Sequence, residues 1–171
     1  MIITLIAYLL IIAYFLGGAL HLHDFAIIPI DFIVTNISYN DELYMCYNDP
    51  NRGGGTRYGW FSLGETNSEC SWISLTQARQ ELGSEIIDQE ISDSLQFTEK
   101  DLSLFDLKGA GGGEINIIWK LFESKIMALS DIVNYVPVFE KCMYQGFEEF
   151  RRDNIQYMEV KFLIYCYLKM N

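Results

Sequence analysis

The sequence predicts an α/β chain. Three observations carry that reading. A short stretch near the N-terminus alternates as a strand does, around two histidines. Two stretches in the second half repeat apolar residues at helical spacing. An apolar run after them reads as a buried strand. With 171 residues, half of them hydrophobic, the chain has ordinary single-domain size and can bury a core. Its formal net charge is −11 and its Lys and Arg residues are scattered. Phosphate binding needs clustered cations, so no nucleic-acid partner is expected. The acidity reads as a solvated surface.

Residues 1–16 carry no charge. The run is shorter than the about 20 apolar residues of a bilayer span. It reads as the hydrophobic part of a signal peptide, with Gly17-Gly18-Ala19 as small residues for cleavage. A buried hydrophobic helix and a segment foreign to the native protein are the other readings.

The first strand follows. His21 and His23 flank Leu22 and are the chain's only two histidines. Residues i and i+2 of a strand share a face, so two imidazoles can hold one metal ion there. Ordinary packing or surface histidines are the bland alternative. Residues 25–39 read as a loop and a short helix. Asn36-Ile37-Ser38 is a glycosylation sequon, which matters only in the secretory pathway.

Residues 41–71 change character. Asn48-Asp49-Pro50, the glycines 53–55 and the aromatic Tyr58-Gly59-Trp60-Phe61 read as turns and a hairpin, bracketed by Cys46 and Cys70. Four cysteines, an even number, permit disulfides without fixing them. Residues 75–91 read as one helix with Thr76 as its cap, and residues 97–107 as a further helical stretch.

Residues 108–113 read as a flexible linker. They lack the Gly-Lys-Ser/Thr ending of a phosphate-binding loop. Ile118, Leu121, Phe122, Ile126 and Leu129 then mark a helix over 115–134. Pro137 starts another, with Phe139, Met143, Phe147 and Phe150 along one side and Asp153-Asn154 at its end. Cys142 on this helix reads as core, and Cys166 has no assignment. Residues 155–160 read as the buried strand.

Five stretches, in order, resemble one family. Gly18-Ala19-Leu20-His21-Leu22-His23-Asp24 resembles the first barrel strand of adenosine deaminases. Residues 31–39, with their sequon, are similar to the next stretch of the secreted, growth-factor type. Cys46 and Cys70-Ser71-Trp72-Ile73 resemble the cysteines that bracket its inserted subdomain. Trp119-Lys120-Leu121-Phe122-Glu123 resembles the Trp-x-x-Phe-Glu stretch after the insertion. Residues 135–160, ending in Gln156-Tyr157-Met158-Glu159-Val160, resemble the helix and second barrel strand. By this resemblance the chain is identified as a member of the adenosine deaminase-related growth factor family.

The resemblance implies the opening of a (β/α)₈ barrel, its first two strands, with an inserted subdomain at about 40–113 bracketed by a Cys46–Cys70 disulfide. The matching region is 17–161, and the tail 162–171 is unmatched. It implies zinc as cofactor, with His21 and His23 as two ligands. Asp24 would touch the nucleoside at its ribose, and Trp119 would stand near the pocket mouth, a helix Trp packed in the core being its alternative. It also implies glycosylation at Asn36, secretion, and a homodimer in the full-length protein. The family reaction is hydrolytic deamination of adenosine to inosine, zinc activating the water.

The family's third His, metal-binding Asp and catalytic Glu lie in a His-Ala-Gly-Glu and a Ser-Asp-Asp-Pro stretch. Neither occurs in this sequence, so no catalytic residue is assigned. Leu16-Gly17 stands where the family has Pro-Lys, and Glu159-Val160-Lys161 where it has Glu-x-Arg. Cleavage near Ala19 would also strip the strand that positions His21. The expectation is a truncated fragment, or else a real short isoform. It should be inactive alone, weak in zinc affinity and prone to aggregate, since two strands cannot close a barrel. The alternative functions are a non-catalytic module, in which 41–71 recognises a cell-surface receptor or glycan, and a peptide anchored in a membrane by residues 1–16.

Overall fold

The computed structural model describes residues 17–49, 55–61, 70–103 and 112–161. The expectations for residues 1–16, for 108–111 of the linker, and for the tail 162–171 with Cys166 lie outside the described residues.

The described chain is a mixed α/β structure with two sheets. Strand β1 (Gly17–His23) pairs in parallel with β5 (Ile155–Lys161). Strands β2 (Leu43–Asp49), β3 (Gly55–Trp60) and β4 (Trp72–Ser74) form an antiparallel sheet in the order β3-β2-β4. The helices are α1 (Ile30–Thr35), α2 (Leu75–Leu82), α3 (Ser84–Leu95), α4 (Glu99–Ser103), α5 (Gly112–Val133) and α6 (Val136–Arg152). Parallel strands need a long crossover, and everything between β1 and β5 supplies it. Among the described residues the two parallel strands do not close into a barrel.

The expected single helix over 75–91 is two helices. Gly83, at φ 98°, takes a backbone conformation that L side chains rarely adopt, and it separates α2 from α3. The cap of α2 is Ser74 rather than Thr76. The Ser74 hydroxyl accepts the amide of Gln77 at 3.1 Å, while the Thr76 hydroxyl donates to Asp41 at 2.8 Å. In the linker, Gly112 and Gly113 already belong to α5. Pro137 stands in the first turn of α6, where its missing N–H leaves no gap in the helix.

The buried side of α6 is made by Val138, Cys142, Met143 and Gly146, with Phe147 left exposed. It is therefore rotated from the stripe the phenylalanines suggested. The Cys142 thiol is buried, as expected of a core residue.

The insertion is not a separate appendage. Its Leu43, Met45, Tyr58 and Trp60 share one apolar core with Ile28 and Ile33 before it and Ile132 of α5 after it. Polar contacts fix the register of that packing. The Trp60 indole N–H donates to the Ile132 carbonyl at 3.0 Å, and the Tyr58 amide donates to Asp131 at 3.2 Å. The Tyr58 hydroxyl lies 2.8 Å from that of Ser94, and burial pushes its ionisation well above the usual phenol range.

Strand β5 is only partly buried, contrary to its apolar reading, and Tyr157 is 61% exposed. A strand is covered on both faces only when sheet neighbours and helices complete the layer, and here β5 has β1 alone as its described partner. For the same reason α5 leaves Ile117, Trp119, Phe122, Ile126 and Met127 exposed.

Candidate functional site

The site lies where β1 and β5 end together. In their parallel register Leu22 stands opposite Val160 and His23 opposite Lys161. Earlier in the strands Ala19 faces Met158, so three steps on β1 match two on β5. The extra residue makes a bulge, and His21 there has φ 61°. Histidine tolerates this left-handed region better than most side chains, and a bulge re-aims the side chains beside it.

The outcome keeps the two imidazoles together. The rings of His21 and His23 are 5.5 Å apart between centroids and inclined at 75°. Both residues are exposed. Two imidazoles on one tetrahedral zinc, with Zn–N of about 2.0–2.1 Å, have centroids roughly 5 Å apart. The observed centroid spacing is of that order, with the two rings meeting edge to face. Among the described residues no group of three or more His, Cys, Asp or Glu is placed to hold a metal.

Asp24 follows at once and is completely buried. It opens a short 3-10 turn, Asp24–Ile27, and one carboxylate oxygen accepts the amide of Phe25 at 2.9 Å. A negative charge at the start of a helical turn faces the unpaired amides of that turn. Helices α5 and α6 both pack on the turn.

Opposite the bulge stands Glu159, ion-paired with Lys161. The Lys161 ammonium, through its hydrogen bond and charge, holds the Glu159 carboxyl below the ordinary carboxylate range, and the nearby His21 adds to this. Sequence reasoning missed Glu159 as a neighbour of His21. Only the long-range pairing of β1 with β5 brings the two together.

Trp119 lies on α5, 59% exposed, its ring stacked on Phe122 at 5.3 Å. It is not packed into the core. Asn36 is exposed at the end of α1, its amide donating to the Thr35 hydroxyl at 3.0 Å. Its sequon partner Ser38 is buried and accepts a bond from Arg79 at 2.6 Å. Cys46 and Cys70 are joined in a disulfide, with Cα atoms 6.0 Å apart. It ties β2 to the residues just before β4.

Two hollows run along α6. One of about 210 Å³ is lined by Ile27, Pro29 and Phe150, the other of about 630 Å³ by Phe32, Pro137 and Tyr144. None of His21, His23 and Asp24 lines either. A pocket at the ends of barrel strands is walled by the loops of several strands, and β1 and β5 alone supply few of them.

No family model matches the chain. Curated proteins do. Adenosine deaminase 2-A of Danio rerio is 31% identical over 153 residues, which is 86% of this chain and 28% of that protein. Adenosine deaminase 2 of Sus scrofa is 29% identical over 163 residues, covering 91% of this chain and 30% of the relative. Adenosine deaminase 2 of Homo sapiens is 28% identical over 150 residues, covering 85% and 27%. The chain thus spans less than a third of the length of these relatives. Matched along most of its own length, this chain is homologous to the N-terminal region, about 28%, of adenosine deaminase 2, in the adenosine deaminase-related growth factor family.

Proposed function

We propose that this chain forms the first-strand side of a zinc-dependent adenosine deaminase site, and that a polypeptide of the relatives' length converts adenosine to inosine by hydrolytic deamination. The observation that carries this reading is the common end of β1 and β5, where His21 and His23 stand 5.5 Å apart beside buried Asp24. His21 and His23 would hold the metal, which when bound supplies an activated water. Asp24, held at the start of its turn, would receive a hydroxyl of the nucleoside. Trp119 would lie against the substrate at the pocket mouth. The 171 residues alone are expected not to turn over adenosine, since among the described residues no third ligand stands with the two imidazoles.

A chimera tests this. Residues 17–161 replace the matched region of the Danio rerio relative, and ammonia release from adenosine is measured. The folded chimera is expected to deaminate adenosine, and His21→Ala or His23→Ala to abolish it. A folded, inactive chimera, or one indifferent to both substitutions, would contradict the proposal.

Secretion is part of the same reading. It rests on the Cys46–Cys70 disulfide, which persists in oxidising compartments, and on the exposed Asn36 as the glycan acceptor. Among the described residues no helix is long and apolar enough to cross a membrane. The second reading, a module that binds a cell-surface receptor or glycan, is favoured by one observation: the insertion is hydrogen-bonded to α5 through Trp60 while Tyr47 and Phe61 remain exposed. Binding to intact cells that survives His21→Ala and is lost on replacing Tyr47 and Phe61 would support it. The homodimer is proposed for the longer polypeptide alone.

A further inference from the structure

We propose that Glu159 is a positioning residue for His21, fixing the first imidazole of the metal-binding pair. The proposal rests on the two-histidine reading of the site. The pairing register carries it. Ala19 faces Met158 and Leu22 faces Val160, so Glu159 is the β5 residue opposite the bulge that contains His21. His21 is the point of backbone irregularity, at φ 61°, and needs an external hold to keep one orientation. A carboxylate beside a metal-binding imidazole can accept the N–H of the nitrogen that does not face the metal, which selects the tautomer and the ring orientation.

Lys161 complicates the site in an informative way. It is the register partner of His23, which brings a second cationic side chain to the strand end that the proposed cation would share. Its ion pair with Glu159 offsets that charge. Glu159 could therefore favour metal binding in two ways, by holding His21 or merely by neutralising Lys161. The proposal is the first, and the two make different predictions.

The experiment is calorimetric zinc binding to the full chain. Glu159→Gln is expected to weaken zinc affinity about tenfold, the lower end of what loss of such an outer partner costs. The Glu159 side chain is 42% exposed, so the thermal midpoint should not move. Glu159→Asp, which keeps the charge, should restore most of the affinity. The double variant Glu159→Gln with Lys161→Gln should remain weak. Recovery of affinity in the double variant would overturn the proposal in favour of simple neutralisation, and an unchanged affinity in Glu159→Gln would overturn it outright. Absence of zinc binding that depends on His23 in the parent chain would instead remove the two-histidine reading, and this proposal with it.

Discussion

Gly146 lies directly against the backbone of Ile27: a Cβ at position 146 would stand 2.5 Å from the Ile27 carbonyl oxygen and 3.2 Å from its Cγ1. Helix α6 can approach the Asp24–Ile27 turn only because this residue has no side chain. The contact links the helix after the insertion to the turn that buries Asp24.

Gly146→Ala should therefore destabilise the chain by about 2 kcal/mol, the ordinary cost of overpacking against atoms that cannot yield. Helix propensity alone favours Ala over Gly by about 1 kcal/mol, so the two explanations predict opposite signs. Urea denaturation decides between them. A stabilised variant would show that α6 moves away from the turn freely.

Arg79 is a buried cation of the insertion, 8% exposed. Its guanidinium bonds Asp88 at 2.6 and 3.0 Å, donates to the Ser38 carbonyl at 2.7 Å, and lies 3.8 Å from the centre of the Tyr39 ring. The Tyr39 hydroxyl closes the circuit on Asp88 at 2.8 Å. Removing one partner leaves the others desolvated, so Arg79→Ala should cost about 3 kcal/mol. Arg79→Lys should recover little of it, since one ammonium cannot reproduce the forked contacts. Equal stabilities for Arg79→Ala and the parent chain would refute this account of the insertion's anchor.

The disulfide closes a separation of 24 residues between Cys46 and Cys70. In the chain-entropy model such a loop contributes about 3 kcal/mol. Replacing both cysteines by Ala should lower stability by that order while leaving the shared core formed. An unchanged thermal midpoint in the double variant would contradict it.

Burial pushes the Cys142 thiol from its ordinary 9 up to about 12. The folded thiol thus holds its proton more tightly than the unfolded one. Its contribution to stability is whole below pH 9 and is lost as pH rises toward 12, because only the unfolded chain then releases the proton. Alkylation at pH 8 should label Cys142 only as fast as the chain opens. Rapid labelling under native conditions would place the thiol at the surface.

Much of this architecture was legible in the sequence, and the rest fails for physical reasons. The C-terminal end of α5 and both ends of α6 followed from apolar spacing and from Pro137, which are local signals, whereas α5 begins within the expected linker. The β1 strand followed from the alternation around Leu22, and the paired cysteines from motif resemblance. The break at Gly83 was missed because a single Gly within a run of helix formers does not announce a positive φ. The burial of Arg79 was missed because its partners Ser38 and Asp88 sit 41 and 9 residues away. In the candidate site, His21, His23 and Asp24 could be named from their order in the chain. The bulge at His21 and its neighbour Glu159 could not, since both exist only once β5 pairs with β1.

The central claim is that His21 and His23 act as one metal-binding pair, and NMR of their imidazole resonances during zinc addition tests it most directly. The account predicts that both rings shift together, saturate at one zinc per chain, and return to their starting positions on dialysis, since two ligands bind weakly. Imidazole resonances that stay still, or a shift confined to one of the two rings, would contradict it.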